Sequence, residues 1–173
     1  MLTTAAMLAA KKNVSSDEWL TPTDVWTQFK TVLKQDDVVW EPFVSKFQHL
    51  SKDAWTQLDV PCIETTTDFF TQDIPKDATV LVSNPPFSKK FQVVEHCLQH
   101  KELKFALLLP SWVFASATVR KIIYKTNTTD IALIVPKKRV HYVHPHTLKQ
   151  MKKTNFDSAF ISRGILPAGV HYL

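Results

Sequence analysis

Residues 78–88 read Ala-Thr-Val-Leu-Val-Ser-Asn-Pro-Pro-Phe-Ser, an apolar run that leads straight into a rigid turn. The apolar run predicts a buried strand, and the turn Asn84-Pro85-Pro86-Phe87 stands at its carboxyl end. Two consecutive prolines fix the backbone φ angle and remove two N–H donors. The turn therefore offers one side-chain amide, unpaired carbonyl oxygens and one aromatic face.

This set of groups suits a planar ring that carries an NH2 group. Oδ1 of Asn84 and the carbonyl oxygen of Pro85 can each accept one amino hydrogen, while Phe87 stacks on the ring. Two such hydrogen bonds favour a tetrahedral nitrogen, whose lone pair is no longer delocalised and can attack an electrophilic methyl group. The alternative explanation is an ordinary Pro-Pro turn that ends a core strand.

Strand and helix patterns alternate along the chain. Apolar runs predict strands at 38–40, 60–63, 78–82, 105–109, 131–135 and 159–165, the last of these being the final strand. Helices are predicted from an N-cap at Thr21, over 44–50, from a cap at Ser88 and over 119–124. This alternation predicts a Rossmann-like α/β fold, in which a mainly parallel sheet is flanked by helices on both faces.

Ligands of such sheets bind beyond the carboxyl ends of the strands. Glu41, Asp68, Asn84 and Pro110 all fall at or near a predicted strand end. We therefore expect these residues to surround the functional site.

Length and composition limit the classes of protein to which the chain can belong. Its 173 residues are 45% hydrophobic, which fits a flexible segment at 1–16 followed by one domain at 17–173. The only glycines, Gly164 and Gly169, lie near the end of the sequence, which excludes a P-loop and a glycine-rich dinucleotide fingerprint. No apolar run approaches the roughly 20 residues of a membrane span, and no basic region precedes the mildly apolar start. We therefore expect an intracellular protein, cytoplasmic or nuclear, without membrane contact.

The charge is divided unevenly along the chain. Residues 1–75 carry six Lys and Arg against eleven Asp and Glu, whereas residues 76–173 carry fifteen against five. Within the basic part, Lys137, Lys138 and Arg139 form a compact run. A basic patch of this kind suits contacts with nucleic-acid phosphates, although a merely solvated face is the alternative.

Neither the cysteines nor the histidines indicate a metal site. Cys62 and Cys97 lie in apolar runs without metal-binding spacing and are expected to be buried thiols. His141, His144 and His146 stand in a basic loop without a nearby cysteine or carboxylate, so no metal is predicted there.

The order of the motifs resembles that of small phage-type and virus-type DNA adenine-N6 methyltransferases. The shared segments, in chain order, are Thr-Pro at 21–22, Glu-Pro-Phe at 41–43, Asp-Phe-Phe at 68–70, Asn-Pro-Pro-Phe at 84–87 and a late aromatic, Tyr142. The resemblance covers about 17–165. It implies a class I methyltransferase fold, S-adenosylmethionine as cofactor and methyl transfer to the N6 amino group of adenine in nucleic acid, with DNA favoured.

The resemblance also implies roles for individual residues. It makes Asn84, Pro85, Pro86 and Phe87 catalytic. The residues expected to bind the cofactor are Trp19, Thr21, Pro22, Glu41, Pro42, Phe43, Asp68 and Phe69. The residues expected to bind the substrate are Ser88, Lys137, Lys138, Arg139 and Tyr142, with Tyr142 and Phe87 clamping a flipped base between them.

Two features depart from the family pattern. The glycines that usually follow Glu-Pro are replaced by Val-Ser-Lys-Phe at 44–47, and glycine there would let the backbone approach the cofactor closely. The acid expected after the second strand, which would hold the cofactor ribose, is either Glu64 or is replaced by Cys62.

The sequence leaves the substrate open. We expect no separate target-recognition domain within these 173 residues, so that sequence selectivity is short, supplied by a partner subunit, or absent. The same motif also resembles RNA adenine-N6 and guanine-N2 methyltransferases, and a protein-glutamine methyltransferase is disfavoured by the basic patch. A competing class is a non-catalytic nucleic-acid-binding subunit that kept the fold and lost cofactor binding.

Overall fold

Seven strands form one sheet in the computed structural model, which describes residues 19–44, 50–145, 147–151 and 154–173. In chain order they are β1 Val39–Glu41, β2 Cys62–Glu64, β3 Val80–Ser83, β4 Phe105–Pro110, β5 Ile131–Val135, β6 Ser158–Arg163 and β7 Gly169–Tyr172. The helices are α1 Thr23–Lys30, α2 Leu50–Gln57, α3 Lys90–Gln99 and α4 Ala117–Thr126. Short 3-10 turns, Phe87–Lys89 and Ser111–Val113, follow β3 and β4.

The sheet is parallel except for one inserted strand. Its order is β2-β1-β3-β4-β6-β5-β7. The pairs β1–β2, β1–β3, β3–β4 and β5–β7 are parallel, whereas β6 is antiparallel to both β4 and β5. The strands β1, β3, β4 and β5 therefore end at the same edge of the sheet, which we call the carboxyl edge. The prediction of a mainly parallel sheet is confirmed.

Helices cover both faces of this sheet. On one face, α3 and α4 bury Val93, Val94 and Val119 against the sheet. On the other face, α1 and α2 bury aromatic residues, with the rings of Trp26 and Trp55 lying 5.2 Å apart. The strands β3 and β4 are buried along their whole length because both of their faces are covered. Among the described residues, no helix is long and apolar enough to cross a membrane.

Two predicted helix caps are wrong. Helix α1 begins at Thr23, and its N-cap residue is Pro22 in an extended conformation without a side-chain cap. Thr21 is instead buried, and its hydroxyl makes no capping hydrogen bond. Ser88 lies inside a 3-10 turn that begins after Pro86, so α3 starts two residues beyond Ser88 and has no side-chain cap. In both cases a proline sets the backbone ahead of the helix and shifts its start.

Other element boundaries also differ from prediction. Most of the helix predicted at 44–50 lies outside the described residues, Val44 is not helical, and Leu50 begins α2. The strand predicted at 159–165 is β6 and stops at Gly164, whose φ of +76° favours glycine. It is not the last strand, because β7 follows and pairs with β5. The pattern missed β7 because its four residues are largely exposed.

A buried cation joins the sheet to the end of α3. Arg163, the last residue of β6, is only 4% exposed. Its guanidinium donates to the main-chain carbonyls of Cys97, Leu98, His100 and Leu103. The last turn of a helix carries partial negative charge and unpaired carbonyls, so a cation stabilises it there. Arg163 therefore caps α3 and holds the segment that leads into β4.

We expect Arg163→Met to lower the free energy of unfolding by about 3 kcal/mol. The reason is that hydrogen bonds to charged groups contribute about 1.5–3 kcal/mol each and do not add fully when they share one side chain. Urea denaturation checks this, with a lower midpoint at unchanged slope as the expected result.

Arg120→Met is the matched control, since Arg120 is exposed on α4. This control should change stability by less than about 0.5 kcal/mol. Equal midpoints for the two variants would show that the buried guanidinium does not stabilise the fold.

Candidate active site

The carboxyl edge brings together the segments that the sequence singled out. Strand β1 ends at Glu41, β2 at Glu64 and β3 at Ser83, and Glu41 lies directly opposite Glu64 in the parallel register. Asn84 follows Ser83, as predicted. Three parallel strands thus deliver two carboxylates and the Asn-Pro-Pro-Phe turn to one place.

The Glu41 carboxylate connects two of these strand ends. Glu41 is 2% exposed. Its Oε1 accepts a short hydrogen bond from the Ser83 hydroxyl and a 3.1 Å hydrogen bond from the Phe43 main-chain N–H. Buried carboxylates persist in proteins when they are hydrogen bonded in this way. Glu41 therefore fixes the segment after β1 relative to the turn after β3.

The amide of Asn84 is oriented by the N-terminal segment. Its Nδ2 donates to the main-chain carbonyl of Trp19 over 2.7 Å. Its Oδ1 is buried and has no hydrogen-bond partner. An unsatisfied buried acceptor costs about 1–3 kcal/mol, so such atoms are rare unless a ligand uses them. Oδ1 is thus a buried, unpaired acceptor in the turn.

A second unsatisfied atom lies two residues after Trp19, the residue that orients the Asn84 amide. The Thr21 hydroxyl is buried and has no hydrogen-bond partner. Thr21 is held in place because Leu20 and Val143 exchange two main-chain hydrogen bonds of 3.1 and 2.8 Å. A hydroxyl can both donate and accept, so Thr21 fits the carboxylate or the ammonium of an amino-acid group. This hydroxyl is compatible with the methionine end of S-adenosylmethionine.

The Asp-Phe-Phe segment forms a turn whose first aromatic ring is in the core. Asp68 is exposed, and its Oδ1 accepts from the Phe70 N–H over 2.8 Å. Phe69 is 4% exposed and packs 5.8 Å from Trp40 and 4.7 Å from Phe43, measured between ring centroids. Phe43 is half-buried. Phe43 and Phe69 therefore form an aromatic pair next to the end of β1.

Glu64, not Cys62, stands at the end of β2. Glu64 is the last residue of the strand and lies 3.9 Å from the Lys52 ammonium, whereas Cys62 is the first residue. Burial, helped by the nearby Glu41 and Glu64 carboxylates, raises the pKa of the Cys62 thiol to about 12. The carboxylate is therefore the better placed of the two candidates for a ribose hydroxyl.

A cavity of about 290 Å³ lies beside this aromatic pair but away from the Asn-Pro-Pro-Phe turn. Of the residues predicted to bind cofactor or substrate, only Phe69 lines it. Its other walls come from β1, from the segment after Phe69, from α3 and from the segment that follows α3. The lining side chains there are Trp40, Gln72, Asp73, Ile74, His96, His100 and Leu103.

The predicted sandwich of a base between Phe87 and Tyr142 is wrong. Tyr142 is fully buried, and its hydroxyl is hydrogen bonded to the Ser158 hydroxyl at 2.9 Å. The Phe87 ring contacts it edge to face, at 5.9 Å between centroids and 82° between planes. No space for a base separates the two rings. Tyr142 instead supports Phe87 from behind, together with Phe156, whose ring centroid is 5.6 Å from that of Phe87.

The predicted basic run divides into two parts. Lys137 and Lys138 are exposed and follow β5 at the carboxyl edge. Arg139 is bound to the protein, because its guanidinium lies 3.1 Å from the Asp157 carboxylate and donates to the Thr154 carbonyl over 2.6 Å. Arg139 is thus engaged within the protein although its side chain stays partly exposed, whereas Lys137 and Lys138 face solvent.

No group of three or more His, Cys, Asp or Glu side chains that could hold a metal occurs in the described part of the chain, from which His146 is missing.

The structure adds two residues, Lys90 and Trp112, that the sequence did not single out. Lys90 donates to the Phe87 carbonyl over 2.9 Å, and its ammonium lies 5.6 Å from the ring centroid of Trp112. The sequence features that could have indicated them are the Lys-Lys pair after the Asn-Pro-Pro-Phe motif and the aromatic residue after β4.

The fold matches solved structures of methyltransferases. A protein from Listeria monocytogenes (lmo1582), assigned to the class I S-adenosylmethionine-dependent methyltransferases, aligns with a TM-score of 0.59 over 98% of this chain and 70% of its own, at 13% identity. The 23S rRNA methyltransferase ErmE aligns with a TM-score of 0.50 over 86% of this chain and 71% of its own, at 14% identity. No protein-family model and no curated protein sequence matches this chain. The chain therefore has the class I methyltransferase fold.

We expect the Cys62 thiol of the native protein to resist alkylation by iodoacetamide at neutral pH. Only the thiolate reacts, and burial keeps this thiol protonated up to a pKa of about 12, above its ordinary value of 9.0. The alkylation rate of Cys62 should still rise with pH between these two values. Stability should be retained below pH 9.0 and fall as the pH rises further, because the unfolded thiol ionises first.

Mass spectrometry of the alkylated peptides measures this rate, with the urea-unfolded protein as control. Cys97 is fully buried, and burial also raises its pKa, so it should react more slowly still. Rapid alkylation of native Cys62 at neutral pH would contradict the raised pKa of this thiol.

Proposed function

We propose that this chain is an S-adenosylmethionine-dependent methyltransferase that acts on the N6 amino group of adenine in nucleic acid. The observation that carries the proposal is the Asn84 amide, whose Nδ2 is bound to Trp19 and whose Oδ1 is a buried acceptor without a partner. It stands in an Asn-Pro-Pro-Phe turn at the carboxyl edge of a sheet with the class I methyltransferase fold.

In this proposal Asn84 and Pro85 act on the amino group of the target base. Asn84 Oδ1 accepts one amino hydrogen, and the carbonyl oxygen of Pro85 accepts the other. These bonds hold the lone pair of the nitrogen out of conjugation with the ring. Because the Asn84 amide is already oriented by Trp19, little reorganisation is needed in the transition state. Pro86 keeps the turn rigid, and Phe87 offers its ring face, braced by Tyr142.

When bound, the cofactor supplies the electrophilic methyl group. The proposed cofactor-binding residues lie along the segment before α1, after β1 and after β2, and are Trp19, Thr21, Pro22, Glu41, Pro42, Phe43, Asp68 and Phe69. We add Glu64 as the carboxylate for the ribose hydroxyls, since it ends β2 opposite Glu41. Thr21 contributes the unsatisfied hydroxyl for the amino-acid end.

In the proposal, Ser88, Lys137 and Lys138 contact the substrate, and Arg139 keeps the basic loop in place. The target base must leave its stack, or be single-stranded already, because Asn84 is part-buried. DNA is the first candidate, since the order of motifs is similar to that of small DNA adenine-N6 methyltransferases. RNA is the second, because a neighbour in fold is a 23S rRNA methyltransferase.

Asn84→Ala should lower the turnover number for methyl transfer by about 100-fold or more, with a smaller effect on KM. An acceptor that matters chiefly in the transition state acts on kcat, and loss of one such group costs about 10²–10³ in rate. The assay is transfer of a labelled methyl group to adenine-containing DNA and RNA oligonucleotides, each single- and double-stranded.

Asn155→Ala serves as the control, because Asn155 is exposed. Calorimetric titration with S-adenosylmethionine should give similar binding for wild type, Asn84→Ala and Asn155→Ala. Full turnover in a folded Asn84→Ala protein rejects the proposed mechanism. Failure of the wild type to bind the cofactor, with nucleic-acid affinity retained, would favour a non-catalytic subunit.

Binding to nucleic acid should weaken steeply with salt, and Lys137→Ala with Lys138→Ala should flatten this dependence. Each phosphate contact that is lost lowers the slope of log K against log salt by about 1. Fluorescence anisotropy with a labelled oligonucleotide over a range of salt concentrations measures the slope.

The matched control is Lys76→Ala with Lys101→Ala. These lysines are also exposed but precede β3 and β4, so they lie at the opposite edge of the sheet. The control should leave the slope unchanged. Equal slopes for both double variants and the wild type would show that Lys137 and Lys138 do not contact phosphates and belong to an ordinary solvated face.

A further inference from the structure

An exposed tryptophan stands at the carboxyl edge next to the Asn-Pro-Pro-Phe turn. Trp112 lies in the 3-10 turn after β4, and 51% of its surface is exposed. The turn itself is anchored, because Val113 is fully buried and the Ser111 N–H donates to the Asp157 carbonyl over 2.8 Å. The indole is thus presented to solvent from a fixed backbone, which reduces the entropy lost when it binds a partner.

Lys90 connects this tryptophan to the proposed catalytic turn. Its ammonium donates to the Phe87 carbonyl over 2.9 Å and lies 5.6 Å from the Trp112 ring centroid. An ammonium has three donors, so one bond to Phe87 leaves others for a ligand. Lys89 is exposed beside it, with its ammonium 5.6 Å from the Phe70 ring centroid. An open aromatic face and two cations therefore border the turn.

We propose that Trp112 is a stacking platform for the base of a nucleotide that neighbours the target base, and that Lys89 and Lys90 bind the adjoining phosphates. The proposal deepens the function proposed above and rests on it. Aromatic rings between cations are the usual means by which proteins hold single-stranded nucleic acid. Residues 76–173, which contain all three side chains, carry fifteen Lys and Arg against five Asp and Glu. A polyanion is therefore the partner that matches the charge.

Stacking on Trp112 would replace a contact that the nucleic acid loses when the target base moves to Asn84. A base that leaves its stack loses contacts with its neighbours, and the neighbour is left with an uncovered face. Stacking of that face on Trp112 would compensate for the loss and fix the strand relative to Phe87. Trp112 is accordingly a substrate-positioning residue and takes no part in methyl transfer itself.

The test is the affinity for a labelled oligothymidine with one central adenine, measured by fluorescence anisotropy. Trp112→Ala should bind it roughly 5-fold to 150-fold more weakly than wild type, the range expected for loss of one stacked base. Trp112→Phe should recover most of the affinity. Tyr124→Ala is the control, because Tyr124 is 83% exposed on α4 and should have no effect.

A second measurement tests the stacking itself. An abasic site placed on either side of the adenine should weaken binding to wild type at one of the two positions. The same abasic site should not weaken binding to Trp112→Ala any further, because the stacking partner is already gone. Equal losses in both proteins, or wild-type affinity for Trp112→Ala, would overturn the proposal.

The experiments can reject either proposal without rejecting the other. If Asn84→Ala keeps full turnover while Trp112→Ala loses affinity, the platform stands and the methyltransferase mechanism falls. If Asn84→Ala is inactive and both Trp112 variants bind like wild type, only the platform is rejected.

Discussion

A single buried carboxylate holds the parts of the candidate site together. Glu41 joins the ends of β1 and β3 through the Ser83 hydroxyl and the Phe43 N–H. The strands are parallel neighbours, so their ends already lie side by side, and Glu41 removes the remaining freedom between them. The position of the Asn-Pro-Pro-Phe turn relative to the segment after β1 depends on this link. Since the carboxylate is withdrawn from water, removing either donor would leave it poorly solvated.

Different polar side chains mark the two edges of the sheet. At the edge where β4 and β5 begin, Arg163 donates to four main-chain carbonyls and closes the end of α3. At the carboxyl edge, Asn84 and Thr21 each keep a buried oxygen without a partner. Such groups lower stability in the free protein and are retained where a ligand can use them. Arg163 thus stabilises the fold at one edge, whereas the Asn84 and Thr21 oxygens at the other edge remain available to a ligand.

Much of the architecture could be predicted from local pattern, and much of the site could not. The strands β3 and β4 could be predicted from the sequence because both of their faces are buried, so that their sequences are continuous apolar runs. The caps at Thr21 and Ser88 were wrong because a neighbouring proline moved each helix start. The sandwich of Phe87 and Tyr142 was wrong because the bridge between Leu20 and Val143 draws the tyrosine into the core. Sequence pattern cannot report a pairing over that distance.

The sequence by itself determined the alternation of strands and helices, the parallel sheet and the place of the Asn-Pro-Pro-Phe turn at a strand end. These follow from periodicity and from proline, which act locally. Only the tertiary structure decided which way the Asn84 amide faces, because its donor is used by Trp19, 65 residues away in the chain. It also decided that Arg139 is occupied while Lys90 lies beside Trp112. Contacts between distant segments set the direction of each polar group, and no local pattern encodes them.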